Sequence, residues 1–336
     1  FNFWLTGVKV SEFSIATTTQ FYNPITRSWA TDLLERMGLP THILPEIVPS
    51  GTVLGGLLSY IRDDVGLKST QVIAPTCHDT ASAVAAVPAR GKDWLYISSG
   101  TWSLMGVEIE KPVINERSLE MNFTNEGGYG GTIRFLKNIM GLWLVQESRR
   151  TWAKAGEDYS YPELTEMAAG AQPFKAFVDP DHKVFLPPGD MPTRIREFCL
   201  KTGQPAPQSK GEIIRCALES LALKYRWTME CLEELLDRQF EVIHVVGGGS
   251  RNELLCQFTA DATGKMVLAG PSEATAIGNI MVQALAQGHV TSHQEAREVV
   301  RRSFELRCYE PGERAGWDEA YDRFLKIIEM EVDLDL

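Results

Sequence analysis

Residues 245–255 run Val245-Val246-Gly247-Gly248-Gly249-Ser250-Arg251-Asn252-Glu253-Leu254-Leu255, a glycine turn between an apolar run and a helical pattern. Upstream, Glu241-Val242-Ile243-His244-Val245-Val246 is a β-branched run of the length of a buried strand. Downstream, Asn252 to Ala262 carries apolar residues at helical spacing. A strand that ends in Gly247, Gly248 and Gly249 and opens a helix gathers backbone N–H groups at one point, a setting suited to a phosphate or a sugar hydroxyl. A plain tight turn is the other reading, because glycine is permissive of such turns whether or not a ligand binds. The stretch is neither Gly-x-Gly-x-x-Gly nor a Walker A sequence, which counts against Rossmann and P-loop folds. The pattern predicts an α/β protein with an anion at this turn.

The rest of the chain narrows that expectation. Its 336 residues allow two domains of ordinary size. Lys plus Arg number 33 against 44 Asp plus Glu, a formal net charge of -11. An acidic chain without basic blocks is a poor partner for nucleic acid or an anionic membrane. No apolar run reaches spanning length and no signal-like segment opens the chain, so a soluble, cytoplasmic protein is expected. The six cysteines (Cys77, Cys199, Cys216, Cys231, Cys256 and Cys308) are scattered without metal spacing, and most read as small core residues. Cys199 and Cys216 would approach only if their helices pack together. The chain starts Phe1-Asn2-Phe3-Trp4-Leu5 without an initiator Met, which reads as the interior of something longer.

Taken in order, residues 1–23 are rich in β-formers and hydroxyls and end at Asn23-Pro24. Residues 28–37 predict an amphipathic helix with Trp29, Leu33, Leu34 and Met37 on one side, and Gly51 to Gly66 predicts a second with Leu54, Leu57, Leu58 and Ile61. Gln71-Val72-Ile73-Ala74 is a short strand that delivers Cys77-His78-Asp79-Thr80 to the mouth of an alanine-rich helix. Ligands gather at strand ends in open α/β sheets, which places His78, Asp79 and Thr80 for chemistry. Asp79 then reads as a carboxylate that accepts a proton from a substrate hydroxyl. An ordinary helix cap beside a surface histidine is the competing reading.

Trp94 to Ile97 and Leu104 to Ile109 predict a hairpin whose Ser98-Ser99-Gly100-Thr101 tip offers hydroxyls and N–H groups to a phosphate, or is simply a turn. Asn122 to Gly131 reads as a glycine-rich loop. Asn138 is placed near the start of a helix from Ile139 to Arg150, with Gln146 two turns on. Residues 155–195 read as loops without chemistry. A long helix from Glu212 to about Leu236 carries a core stripe, Ile213, Ala217, Leu221 and Tyr225. After the glycine turn, Lys265 to Ala269 predicts a strand and Gly270 to Gly278 the opening of a small-residue helix, Glu273 being a first-turn acid or a hinge contact. Helices near 293–303 and 316–331 finish the chain.

These segments together resemble the FGGY-type carbohydrate kinases. The resemblance rests on Ala16-Thr17-Thr18-Thr19-Gln20, His78 to Val84, Ser98 to Gly106, Leu136 to Trp143, Val246 to Asn252 and Ala269 to Ala274, in the family's order over nearly the whole chain. It implies an actin-like, ribonuclease-H-like two-domain fold closing on ATP, Mg²⁺ and a sugar. Residues 1–88 match the end of a sugar-binding first domain and 89–336 the nucleotide-binding second. Asp79 matches the catalytic base, and His78, Asp79, Thr80 and Asn138 match sugar contacts. Gly100 and Thr101 match a phosphate hairpin, Gln146 an ATP contact, and Gly248 and Asn252 the adenosine site, beside Gly247 and Gly249 of the same turn. The His-Asp-Thr triplet points to L-rhamnulose as the ketose whose primary hydroxyl is phosphorylated. A kinase for another deoxyketose such as L-fuculose, or a non-catalytic nucleotide- or sugar-binding module, are the alternatives. The family's first phosphate hairpin and its Mg²⁺-holding Asp lie upstream of Phe1, so these residues alone are expected to be inactive.

Overall fold

The computed structural model describes residues 1–333. The first ninety residues make short elements: β1 (Val10–Glu12) and β2 (Glu46–Val48), which pair in parallel, and β3 (Thr52–Gly56) and β4 (Gln71–Ala74), which pair antiparallel. They lead to helix α1 (Asp79–Ala85), buried at every position from Thr80 to Ala85. Strands β5 (Trp94–Ser99), β6 (Ser103–Ile109), β7 (Thr124–Gly127) and β8 (Ile133–Ile139) follow. Helices α2 (Trp143–Lys154), α3 (Tyr161–Ala169), α4 (Met191–Lys201) and α5 (Lys210–Leu236) come next. The chain continues through β9 (Val242–Val246), α6 (Glu253–Thr263), β10 (Met266–Ala269), α7 (Ala274–Ala286), α8 (His293–Ser303), β11 (Arg307–Tyr309) and α9 (Ala315–Ile328).

A seven-stranded sheet has the order β11-β10-β9-β5-β6-β8-β7. β5, β9 and β10 are parallel, with Val246 opposite Ser98 and Val245 opposite Ala269. β11 and β7 pair antiparallel at the two edges. The chain divides into two compact units, neither contiguous in sequence. One comprises Phe1–Arg90, Gly106–Leu136 and Glu273–Glu305; the other comprises Gly91–Met105, Lys137–Ser272 and the chain from Leu306. β6 and β8 each have residues in both.

In the first unit α1 and α7 meet at a distance only glycine permits. A Cβ on Gly278 would lie 1.8 Å from the Ser82 carbonyl oxygen, so the small residues expected in this helix serve close packing. In the second unit α5 is the central helix. A reciprocal box starts it, the Ser209 hydroxyl accepting from Glu212 N–H while the Glu212 carboxylate accepts from Ser209 N–H. Asp237, at φ 47°, stops it. Its buried face includes Ile213, Leu218, Leu221 and Leu232, side chains worth about 1.5–3 kcal/mol each when fully buried. Among the described residues no helix is long and apolar enough to cross a membrane.

Several expected boundaries move. Thr52–Gly56 is a strand, and the helix after it is only Ser59–Val65, because pairing with β4 outweighs a marginal helical pattern. Helix 31–36 buries only Leu34; Leu33 and Met37 are exposed and Trp29 lies in a two-residue strand. Asn138 belongs to strand β8 rather than a helix start, and the helix there begins at Trp143. Thr124–Gly127 is a strand inside the expected loop, recruited by β8. The 155–195 segment contains α3 and the start of α4, both begun at capping residues, Ser160 and Asp190.

Candidate active site

In the first unit the strand β4 ends at Ala74 and the chain turns through Pro75–Cys77 into α1, setting His78 at the helix cap and Asp79 at its first position. The backbone of this corner is tied to a distant carboxylate. Glu12 is 2% exposed; it accepts from Ser14 N–H at 2.9 Å and from the Ser14 and Ser50 hydroxyls at 2.5 Å each. Cys77 N–H donates to it at 2.9 Å, and His78 N–H donates to the Ser14 hydroxyl at 3.1 Å. Thr275 on α7 donates its hydroxyl to the Asp79 carbonyl.

The Asp79 side chain is 77% exposed. Its Oδ1 accepts from Thr80 N–H at 2.6 Å and lies 3.3 Å from His78 Nε2. His78 Nδ1 lies 2.8 Å from Arg134 Nη2 and 3.3 Å from Glu126 Oε2. Burial by itself would lift the Glu126 carboxyl, but the Arg134 guanidinium paired with it at 2.9 Å works against burial, and the carboxyl sits below the usual carboxylate range. Thr80 is buried. An open carboxylate braced on one oxygen can take a proton from a hydroxyl placed against the other.

In the second unit the ends of β5 and β9 are neighbours, which brings the glycine turn against the hairpin tip. Gly247 has φ +84°, and a Cβ on Gly249 would lie 2.0 Å from the Ser99 hydroxyl. The three glycines do not open α6 directly. Gly248–Arg251 form one 3₁₀ turn, and Asn252 caps the helix by accepting from Leu255 N–H at 3.0 Å. A Cβ on Gly248 would meet nothing within 4 Å, so the backbone there is open to a ligand. Thr101 donates its hydroxyl to the Gln146 side-chain oxygen at 2.9 Å, joining the tip to α2. Leu142 and Trp143 N–H donate to the Gly100 and Thr101 carbonyls. Asn138 is exposed on β8.

Gly100, Thr101 and Gln146 are therefore assembled with Gly247–Gly249 in one unit. Among the described residues no group of three or more His, Cys, Asp or Glu side chains could hold a metal ion, so these residues do not build a cage for Mg²⁺ on their own. Cys199 and Cys216 do meet as free, buried thiols; the hydrogen bond with Cys199, and then burial, hold the Cys216 thiol well above its ordinary range. Glu12, Glu126 and Arg134 escape a reading of the sequence. Their partners lie 65, 48 and 56 positions away, and only Ser14, two residues after Glu12, gives a local cue.

This fold and these loops define a mixed α/β sugar kinase. The chain belongs to the FGGY family of carbohydrate kinases: the family's N-terminal domain matches residues 1–86 and its C-terminal domain residues 95–287. A rhamnulokinase of Bacteroides thetaiotaomicron is 48% identical over 97% of this chain and 67% of its own length. Those of Oceanobacillus iheyensis and Halalkalibacterium halodurans are 44% and 45% identical over 92% and 94% of this chain, and 64% and 66% of theirs. The chain thus spans about two thirds of the length of the curated relatives it matches. The fold is shared with the crystal structures of gluconate kinase from Lactobacillus acidophilus (TM-score 0.74, 16% identity, 97% of this chain and 65% of that one) and Plasmodium falciparum glycerol kinase with ADP (0.74, 14%, 98% and 66%).

Proposed function

We propose that the protein transfers the γ-phosphoryl group of ATP to the primary hydroxyl of L-rhamnulose, as a step of rhamnose catabolism in the cytoplasm. The observation that carries the reading is Asp79, an exposed carboxylate braced on one oxygen at the end of β4, inside a His78-Asp79-Thr80 triplet. The names of the relatives point to the same sugar. Asp79 accepts the proton of the attacking hydroxyl, while His78, Thr80 and Asn138 hold the sugar. Gly100, Thr101, Gln146, Gly247–Gly249 and Asn252 receive ATP, the open backbone at Gly248 being the feature that suits it. Residues 1–88 act as the end of a sugar-binding domain and 89–336 as the nucleotide-binding one, residues 334–336 lying outside those described.

Mg²⁺ supplies charge neutralisation when bound, and it is commonly held through substrate phosphates and one or two carboxylates. In phosphoryl transfer, positioning and charge stabilisation carry most of the catalysis, and a general base contributes about 10²–10⁴-fold.

The test is ADP release by the complete gene product with ATP and Mg²⁺ across a panel of ketoses, beside Asp79→Asn. Turnover with L-rhamnulose that drops by about 10²-fold or more in the variant supports the proposal. Preference for L-fuculose would replace the substrate, and ATP binding without phosphorylation of any ketose would leave a binding module in place of the kinase.

A further inference from the structure

The ring of His78 is held from behind by a side chain that can act in only one way. Arg134 is fully buried. Its Nε donates to the Gly127 carbonyl at 2.9 Å, and its Nη2 lies 2.9 Å from Glu126 Oε2 and 2.8 Å from His78 Nδ1. A guanidinium stays protonated and has no acceptor, so the two hydrogens of Nη2 serve these two partners. Any nitrogen 2.8 Å from Nη2 has to offer a lone pair, because a proton on Nδ1 would set donor against donor. Glu126 Oε2 lies farther from Nδ1, at 3.3 Å, and already accepts from Arg134.

We propose that Arg134 is a positioning residue that fixes His78 as the neutral tautomer protonated on Nε2. That proton then lies on the side of the ring nearest Asp79, whose Oδ1 is 3.3 Å from Nε2. Thr80 N–H donates to the same oxygen at 2.6 Å. The hydrogen-bond donors to the carboxylate among the described residues, the Thr80 N–H and its hydroxyl at 3.4 Å, therefore converge on Oδ1, on the side that His78 Nε2 faces, and Oδ2 is kept for the substrate. Arg134 is fully buried and acts through His78. The consequence for catalysis rests on Asp79 being the base; the tautomer itself does not.

The test begins with the complete gene product labelled with ¹⁵N-histidine. Long-range ¹H–¹⁵N correlation near neutral pH reports which ring nitrogen bears the proton, and the His78 signals are those lost in His78→Gln. A pyridine-type Nδ1 with a pyrrole-type Nε2 is expected. The reverse pattern, or a ring protonated on both nitrogens, overturns the proposal whether or not Arg134→Met folds. In Arg134→Met the ring is expected to switch to the Nδ1–H form facing Glu126, and kcat to fall about tenfold or more, the scale on which the outer partners of a functional histidine act. A folded Arg134→Met protein with an unchanged tautomer also overturns it. Since the spectrum needs no turnover, an Nε2–H ring in a protein that phosphorylates no ketose would leave this assignment standing while the kinase reading failed.

Discussion

Glu12 shows how much of a site can hang on one side chain remote from it in sequence. Its carboxylate collects donors from residues 14, 15, 50 and 77, and through the Ser14 hydroxyl it reaches the backbone of His78. Removing it leaves several buried donors unpaired, at about 1–3 kcal/mol for each that stays unsatisfied. Glu12→Ala is expected to lower stability by roughly 2–4 kcal/mol in urea unfolding, and to reduce turnover even where the protein is fully folded, because the corner carrying Asp79 loosens. A loss below 1 kcal/mol would mean that water replaces the carboxylate. None of this was legible in Ser11-Glu12-Phe13-Ser14, which belongs to a stretch rich in β-formers and hydroxyls. The His78-Asp79-Thr80 corner was legible, since a short apolar strand followed by polar residues and an alanine-rich helix is a local pattern.

Close approach of elements sets the next group of sensitivities. At Gly278 on α7, any Cβ meets the Ser82 carbonyl of α1, and a carbonyl in a helix cannot step aside alone. Gly278→Ala is expected to cost about 1–3 kcal/mol, as overpacking does, visible as a lower melting temperature. At Gly249 the obstacle is the Ser99 hydroxyl. Gly249→Ala is expected to push the glycine turn away from the hairpin tip and weaken ATP binding by about tenfold or more, equivalent to about 1.4 kcal/mol. Calorimetric titration with a non-hydrolysable ATP analogue would measure it, and unchanged affinity would remove Gly249 from the nucleotide site. Elements with a strong local signature, such as β9, α5 and α8, stand close to where the sequence puts them. β3 and β7 do not, because each is a strand by virtue of its partner.

For the molecule as a whole, acid stability has an identifiable contributor. Burial, and then the charge of Arg297, hold the His293 pKa below its usual value, and its Nε2 faces the Ala85 carbonyl at 2.9 Å. The unfolded chain therefore takes up this proton first, near the ordinary histidine value of about 6.5. Stability is expected to decline as pH falls from there toward the lower folded value, and to be whole above about 6.5. His182 shifts in the same direction, burial again being the main cause. Urea midpoints across this range should be flatter for His293→Gln than for the parent protein; an equal slope in both would assign the effect to other groups.

The α/β class and the glycine turn were legible in the chain, because strand and helix periods and turn chemistry are local properties of neighbouring residues, and the kinase family was legible in the order of its motifs. Tertiary structure alone decided that Arg134 stands behind His78, that Glu12 anchors Cys77, and that residues 106–136 and 273–305 join the first ninety in one unit. Those pairings are selected by which strands share a sheet and which buried charges must be matched, and burial makes an unmatched charge costly wherever its partner lies along the chain.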